Sequence, residues 1–216
     1  EARCEELESQ VGNYFLVTTE CNESTSGAKI HGVGAMVERR LWDCVEDVER
    51  RGAHILVIKA HWGKGRLNSK AKKYFVVFYG PQDKKGGAEE RNQRWGELRA
   101  TLRELRERAD GDVCLVGDFN ARAGKAQQND FPGVIGGNLL HDTATRNGKE
   151  MLKIADEEGL CALNTVYKQN EEERHTYYHP GGNGSGRAAT RSQIDFILGD
   201  RFFKTSAKNL VYCLIN

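Results

Sequence analysis

The sequence has almost no excess charge and no long apolar run, and both absences narrow what the protein can be. Its 32 Lys and Arg residues against 31 Asp and Glu residues leave a net charge of +1. Charge therefore gives no support to a protein that coats polyanions in general, although a local basic patch stays possible. No stretch of 18 apolar residues occurs, and no charged-then-apolar segment opens the chain. We therefore expect a soluble protein with neither a membrane span nor a signal peptide.

The cysteines lack any pattern of their own. Cys114 and Cys161 lie in apolar runs, where a free thiol behaves as a small hydrophobic side chain. No C-x-x-C pair and no histidine at zinc-ligand spacing accompanies the six cysteines, which are Cys4, Cys21, Cys44, Cys114, Cys161 and Cys213. This distribution favours a reduced, intracellular protein over a disulfide-stabilised one.

The chain has the length and composition of one globular domain. It contains 216 residues, of which 38% are hydrophobic, so we expect a single domain over residues 1–216. Eight β-rich runs predict strands at residues 14–19, 31–37, 54–60, 74–80, 113–119, 160–166, 175–179 and 193–200. Two helices are predicted at 89–110 and 147–159, the second ending at Gly159. This mixture predicts sheets covered by helices, in an α/β or α+β layered domain.

The stretch 113-VCLVGDFNA-121 combines a strand with chemically useful side chains. Its apolar residues are continuous, which is typical of a strand buried on both faces. Because strand side chains alternate, Asp118 and Asn120 point the same way if the strand continues through them. A carboxylate can orient or deprotonate a water or bind a metal, and an amide can donate to a phosphate oxygen. An ordinary turn after the strand explains the same two residues equally well.

Two other strands carry polar groups at comparable places. In 74-YFVVFYGPQ-82 the strand runs into Gly-Pro with Tyr79 at its end, where core packing or a phenol contact to a ligand are both possible. In 192-SQIDFIL-198 Asp195 interrupts an apolar strand. An ionised acid is costly there unless it is paired or hydrogen-bonded, and a His or Lys partner explains it best.

These segments together resemble a known family. The pieces Y-G-P, G-D-F-N-A-R-A-G and S-Q-I-D-F-I-L, in this order, are similar to the endonuclease/exonuclease/phosphatase superfamily of Mg²⁺-dependent phosphodiesterases. In detail the chain most resembles the endonuclease domains of non-LTR retrotransposons and the craniofacial-development-protein-like chains. Supporting pieces are 147-NG-148 at a helix start and 163-LNT-165, and the resemblance covers nearly all of the chain.

The resemblance implies a role for each matched residue. Glu1 would bind Mg²⁺, or Mn²⁺ in its place, a cation that takes only one or two carboxylates and keeps several waters. Tyr79 would donate to a non-bridging phosphate oxygen. Asp118 would orient or deprotonate the attacking water, and Asn120 would hold the phosphate as charge builds on it. Asp195 would orient and charge-stabilise a histidine.

Two further residues and two departures complete the comparison with the family. Asn164 and Ser192 match positions near the DNA backbone, although turn and strand-end roles explain them as well. The family also has an Asn-bearing strand before the metal-binding Glu and a Ser-Asp-His on its last strand, which would fall before Glu1 and after Asn216. None of the histidines follows Asp195, and His175 and His179 in one strand are a poor metal pair. We therefore expect a fragment that is inactive or very slow alone.

The resemblance implies a deoxyribonuclease-I-like four-layer fold, a two-sheet sandwich flanked by helices and truncated at both ends. It implies metal-dependent hydrolysis of a nucleic-acid phosphodiester, with DNA as substrate, a nuclear location and a reverse transcriptase domain as a possible neighbour in the parent polypeptide. The alternatives are a phosphatase acting on a small phosphate ester and a non-catalytic relic that binds chromatin or protein.

Overall fold

The computed structural model describes residues 8–20, 22–23, 29–30, 32–61, 72–84, 87–108, 111–168, 170–179 and 190–200. The chain divides into two compact units. The first consists of Glu1–Tyr79 and Ala100–Leu115, and the second of Gly80–Arg99 and Val116–Asn216. The expectation of one domain over residues 1–216 stays a prediction.

The first unit contains two groups of antiparallel strands. Strands β1 (Glu8–Val11), β2 (Tyr14–Thr18) and β5 (Gly34–Glu38) form a three-stranded sheet, and β3 (Asn22–Glu23) pairs with β4 (Lys29–Ile30). A short helix α1 (Arg39–Trp42) leads into β6 (Val45–Arg51), β7 (Ile55–His61) and β8 (Lys72–Tyr79), which pair antiparallel.

The core of this unit lies between the two groups of strands. Leu56 and Ile58 of β7 form a buried cluster with Val17 of β2. The apolar run 55-ILVI-58 is buried throughout, because this strand has neighbours on both edges and a second sheet over one face. The predicted two-sheet packing is thus present within the first unit.

The remaining elements include α2 (Ala88–Glu107) and β9 (Gly111–Asp118), each of which runs through both units. They are followed by α3 (Arg146–Glu157), β10 (Leu160–Ala162), α4 (Leu163–Val166), β11 (Tyr177–His179), β12 (Thr190–Ser192) and β13 (Asp195–Asp200). The larger sheet has six strands in the order β10-β13-β9-β8-β7-β6, and β11 pairs with β12. A six-stranded sheet, a smaller sheet and helices confirm the predicted α/β fold class.

Helix α3 begins and ends as its sequence predicts. The Thr145 hydroxyl accepts a hydrogen bond from the Gly148 main-chain N–H at 3.2 Å, which caps the first turn. Gly159, beyond the C-cap, has a φ of +67°, the left-handed conformation that glycine adopts without steric cost. Four apolar residues of the helix are buried, namely Met151, Leu152, Ile154 and Ala155.

The structure has short elements that the sequence did not predict, namely β1, β3, β4, β12 and helix α1, and it differs from the prediction at two longer segments. The strand predicted at 160–166 ends at Ala162 and gives way to the helical turn α4, whose Thr165 hydroxyl donates to the Ala162 carbonyl oxygen at 2.7 Å. Strand β6 was not predicted, because 45-VEDVERR-51 is mostly charged. It is the last strand of its sheet, a place where charged side chains are tolerated. In the described part of the chain no helix is long and apolar enough to cross a membrane.

Candidate active site

The end of β9 is a tight turn that places Asp118 and Asn120. The Asn120 main-chain N–H donates to Asp118 Oδ1 at 2.8 Å, and Asn120 has a φ of +46°. Asparagine tolerates this left-handed conformation better than most residues do. The condition under which strand alternation would put both side chains on one side does not hold, because the strand ends at Asp118.

Phe119 anchors this turn to the core between the two polar residues. Its side chain is buried and meets Phe196 edge-on, with 6.1 Å between ring centroids. Its main-chain N–H donates to the Ile194 carbonyl oxygen at 3.0 Å. The aromatic residue within G-D-F-N thus fixes the turn, and its neighbours stay at the surface of the fold.

The Asn120 side chain is held by a second loop. Its Nδ2 donates to the Gly80 carbonyl oxygen at 2.9 Å, and the Gly80 N–H donates to the Asp118 carbonyl oxygen at 2.7 Å. A Cβ at position 80 would overlap the Phe119 main chain, so this close approach requires glycine. Because an amide nitrogen carries two hydrogens, Asn120 keeps a second N–H for a ligand.

Asn147 hydrogen-bonds to both of these segments, the loop at 80–81 and the turn at 118–120. Its side chain is fully buried, and its Nδ2 donates to the carbonyl oxygens of Pro81 at 2.6 Å and Asn120 at 3.1 Å. Its Oδ1 accepts a hydrogen bond from Trp95 Nε1 at 3.3 Å. The sequence marked this residue only as part of a helix start, because its partners lie far away along the chain.

Asp195 opens β13 and interacts electrostatically with Asp118. Burial raises the pKa of the Asp195 carboxyl, a hydrogen bond with the Thr176 side chain opposes that shift, and the charge of Asp118 adds to it. Burial also raises the pKa of Asp118, and the hydrogen bond from the Asn120 main chain lowers it in part. Two half-buried carboxylates with raised pKa values are a common arrangement at functional sites.

Thr176 and Asn164 hold the start of β13 in place. The Thr176 hydroxyl oxygen accepts from the main-chain N–H groups of Ile194 and Asp195, both at 3.1 Å. Asn164 Nδ2 donates to the Asp195 carbonyl oxygen at 3.1 Å, and its Oδ1 accepts from the Ile197 N–H at 3.3 Å. Asn164 is 2% exposed. These contacts make it a positioning residue for Asp195, and its predicted contact with nucleic acid stays a prediction.

A cavity of about 380 Å³ lies beside Asp195 and is lined by Asn164, His175 and Thr176 together with apolar groups of β9 and β13. His175 Nδ1 is buried and has no hydrogen-bond partner in the described chain. The sequence placed His175 only in a doubtful metal pair with His179. His175 comes to the same cavity as Asp195 because its neighbour Thr176 hydrogen-bonds to the main chain of Ile194 and Asp195.

Three other residues were predicted for the site, namely Ser192, Tyr79 and Glu1. Ser192 is the last residue of β12, and its carbonyl oxygen accepts from the Thr176 N–H at 2.9 Å. Tyr79 ends β8 in the first unit, where its N–H donates to the His54 carbonyl oxygen at 3.0 Å and its ring lies 6.4 Å from that of His54. Glu1 lies outside the described residues. The predicted roles of these three residues stay predictions.

The donor chemistry of the site suits a hard cation. Mg²⁺ and Mn²⁺ prefer carboxylate and carbonyl oxygens, which Asp118 and Asp195 offer on neighbouring segments. Within the described ranges no group of three or more His, Cys, Asp and Glu side chains is arranged to hold a metal ion. Because Mg²⁺ usually needs only one or two protein carboxylates, the expected cofactor still fits these residues, and its binding by Glu1 stays a prediction.

Comparison with known proteins supports the fold. The sequence matches no protein-family model and no curated protein. The structure is similar to that of a 3'-5' exonuclease (NExo) from Neisseria meningitidis, with a TM-score of 0.56 and 15% identity over 94% of this chain and 72% of that one. The same TM-score and identity hold, over 71% of the other chain, for a variant of NExo from Neisseria that is described as a 3' phosphatase bound to a product DNA hairpin. A weaker likeness, with a TM-score of 0.47 and 16% identity over 87% of this chain and 62% of the other, is to D. rerio TDP2 complexed with a single-strand DNA product. This chain therefore has the deoxyribonuclease-I-like α/β fold that its motifs predicted.

Proposed function

We propose that this chain hydrolyses phosphodiester bonds in DNA with the help of a divalent metal ion, as a member of the endonuclease/exonuclease/phosphatase superfamily. The observation that carries the proposal is the pairing of Asp118 with Asp195, two half-buried carboxylates whose pKa values are both raised. Folding alone does not favour such a pair, because burying like charges costs free energy. Asp195 lines a cavity, and two carboxylates with raised pKa values at such a place are the expected signature of acid–base chemistry.

Asp118 is the group that orients or deprotonates the attacking water. Its raised pKa moves it toward the range in which a carboxylate accepts a proton more readily. The hydrogen bond from the Asn120 main chain to Oδ1 fixes one carboxylate oxygen and leaves Oδ2 for the water. Asn120 then offers its second side-chain N–H to a phosphate oxygen, on which negative charge builds.

Asp195 orients an imidazole in this proposal. The family pattern would supply that histidine after Asn216, and His175 offers a second candidate because it lines the same cavity. Tyr79 donates to a non-bridging phosphate oxygen. Glu1 would hold a Mg²⁺ or Mn²⁺ ion, which when bound would supply positive charge to stabilise the phosphate and the leaving oxygen.

DNA is the substrate that we favour, because a similar fold binds a product DNA hairpin in NExo and because the motifs of this chain resemble retroelement endonucleases. Nicking at a retroelement target site, a reverse transcriptase domain in the parent polypeptide and a nuclear location follow from that resemblance alone. A small phosphate ester is the competing substrate. A relic that binds chromatin or protein without catalysis is the competing non-enzymatic function.

The proposal is tested with the protein translated from the full source transcript, because the family pattern extends beyond both ends of this chain. We expect Mg²⁺-dependent nicking of supercoiled plasmid, and its loss in Asp118→Ala. The exposed Asp130→Asn serves as the control and keeps full activity. Phosphate release from an inositol phosphate without plasmid nicking would support the phosphatase. Metal-independent DNA binding that is unchanged in Asp118→Ala, with no hydrolysis of either substrate, would support the relic.

His175 has a separate test. If it carries the proton in this reaction, His175→Gln removes the limb of the pH–rate profile that belongs to an imidazole, while the Asp118 limb remains. An unchanged profile would leave the family-type histidine after Asn216 as the catalytic imidazole.

A further inference from the structure

A second cavity, of about 370 Å³, lies between helices α2 and α3 in the second unit. We name it the arginine cavity, because Arg91, Arg99 and Arg146 line it together with Asn92, Trp95 and Glu150. It shares no lining residue with the cavity beside Asp195. Three guanidinium groups around one cavity indicate an anionic ligand.

The ion pairs around the arginine cavity are unevenly shared among its three arginines. Arg99 is neutralised by ion pairs with Glu150 and Glu157. Arg146, the first residue of α3, is exposed, and no described residue forms an ion pair with it. Arg91 has one carboxylate partner, Asp83, at 3.5 Å. Together the three arginines and these three carboxylates carry no net charge, but Arg146 has no ion pair among the described residues, so its guanidinium group is available to a ligand.

Arg91 is the unusual member of this set. Its residue is only 7% exposed, its one carboxylate partner, Asp83, lies at 3.5 Å, and its guanidinium group carries five N–H donors. A buried charge is stable only where its donors are satisfied. A phosphate group offers several acceptor oxygens in the geometry that a guanidinium fork matches.

The arginine cavity is connected to the candidate active site through two side chains. Trp95, in its lining, donates from Nε1 to Asn147 Oδ1 at 3.3 Å. Asn147 in turn donates to the Asn120 carbonyl oxygen at 3.1 Å. An anion in the arginine cavity is thus separated from the turn that carries Asp118 and Asn120 by the side chains of Trp95 and Asn147.

We propose that the arginine cavity binds a backbone phosphate of the nucleic-acid substrate, away from the bond that is cleaved. The inference rests on the proposed function, since it makes the cavity an anchor for the same strand. A phosphate held by Arg91 and Arg146 sets the register of the strand and carries no sequence information. The relevant ligand class is a phosphodiester backbone, and free inorganic phosphate is the alternative source of the same group.

The test is the salt dependence of duplex binding, measured by fluorescence anisotropy in EDTA so that no cleavage occurs. The logarithm of the binding constant falls linearly with the logarithm of the salt concentration. Each arginine that contacts a phosphate adds about 0.9 to the magnitude of that slope. We expect Arg146→Gln to reduce the magnitude of that slope by about 0.9. The double variant with Arg91→Gln and Arg146→Gln should reduce it by about 1.8. Arg103→Gln, an exposed position on the same helix α2, is the matched control and leaves the slope unchanged.

Folding is checked by circular dichroism, because Arg91 is buried and its replacement can destabilise the chain. Arg146 is exposed, so Arg146→Gln keeps the test decisive even if Arg91→Gln fails to fold. An unchanged slope in folded Arg146→Gln would overturn the proposal. Competition by inorganic phosphate that depends on Arg91 while duplex binding does not would show a site for a free anion only, and would overturn it as well.

The test separates this inference from the proposed function. Nicking that is lost in Asp118→Ala, with duplex binding insensitive to both arginines, would reject the arginine cavity and retain the hydrolase. A slope that falls with the arginines, in a protein that nicks no plasmid, would retain the phosphate anchor and reject the hydrolase.

Discussion

The side-chain amide of Asn147 donates a hydrogen bond to the main-chain carbonyl of Asn120, with 3.1 Å between nitrogen and oxygen. The same amide donates to the Pro81 carbonyl oxygen at 2.6 Å. One buried side chain therefore ties together the loop at 80–81 and the turn at 118–120. The conformation of the turn at 118–120 therefore depends on a side chain of helix α3.

Removal of this amide leaves two carbonyl oxygens and one indole N–H without their partner. We expect Asn147→Ala to lower the free energy of unfolding by about 3 kcal/mol, since each unsatisfied buried group costs about 1–3 kcal/mol. Asn147→Asp keeps the volume and the acceptor but loses both donors, so it should be at least as destabilising. Urea unfolding checks both. Lys149→Ala, exposed on the same helix, should stay within about 0.5 kcal/mol of the parent, and an equally mild Asn147→Ala would contradict the bridging role.

The carboxylate pair predicts a stability that depends on pH. A raised pKa in the folded state means that Asp118 and Asp195 bind their protons more tightly in the folded chain than in the unfolded chain. Their contribution is therefore fully present below the ordinary aspartate pKa and is lost as pH rises through the raised values.

Asp118→Asn removes the loss of stability that occurs when Asp118 ionises. The amide does not ionise, and its oxygen still accepts the hydrogen bond from the Asn120 N–H. Without metal, we expect the variant to be more stable than the parent at neutral pH and to match it in acid. Removal of the Asp118 charge also lowers the pKa of Asp195. Chemical unfolding across pH measures the difference in free energy of unfolding between variant and parent. A variant less stable than the parent at neutral pH would contradict this explanation. Exposed Asp130→Asn should show no such trend.

Gly148 lies where helix α3 approaches the chain just after the turn at 118–120. A Cβ at this position would overlap the Arg122 carbonyl oxygen, so Gly148→Ala forces the helix and the turn apart. Overpacking of this kind costs about 1–3 kcal/mol. Gly96, within helix α2, has open space around its Cα, and Gly96→Ala should stabilise by up to about 1 kcal/mol. Thermal unfolding measures both variants. If the close approach is real, the melting temperature falls in Gly148→Ala and rises in Gly96→Ala.

A charged network in the first unit predicts a second, opposite pH trend. Hydrogen bonds from Arg51 and Arg108 lower the pKa of Glu104 from 4.5 to about 2. Its contribution is present above the ordinary glutamate value and is lost as pH falls toward about 2. Because the Glu104 side chain is about half exposed, we expect Glu104→Gln to cost less than about 1 kcal/mol. High salt should reduce that cost, and exposed Glu107→Gln should show neither effect in the same unfolding assay.

Local pattern was sufficient for elements whose neighbours in sequence are also their neighbours in space. Helix α3 followed from its apolar spacing and from Gly159, because a helix forms its hydrogen bonds within one segment. The buried strands β7, β8 and β9 followed from continuous apolar runs. The run at 160–166 was misread, since an apolar stretch of this length suits a strand and a buried helical turn equally. In the structure this run contains a helical turn, and the side chain of Asn164 in that turn hydrogen-bonds to the main chain of β13.

The sequence by itself determined the α/β fold class, the strand that ends in G-D-F-N and the polar residues Asp118, Asn120 and Asp195, because each depends on residue type and local spacing. Only the tertiary structure decided how these residues meet. The turn at Asn120, the support from Asn147, the effect of the Asp118 charge on Asp195 and the place of His175 all join residues tens of positions apart. Such contacts depend on how sheets and helices pack, which local periodicity does not encode.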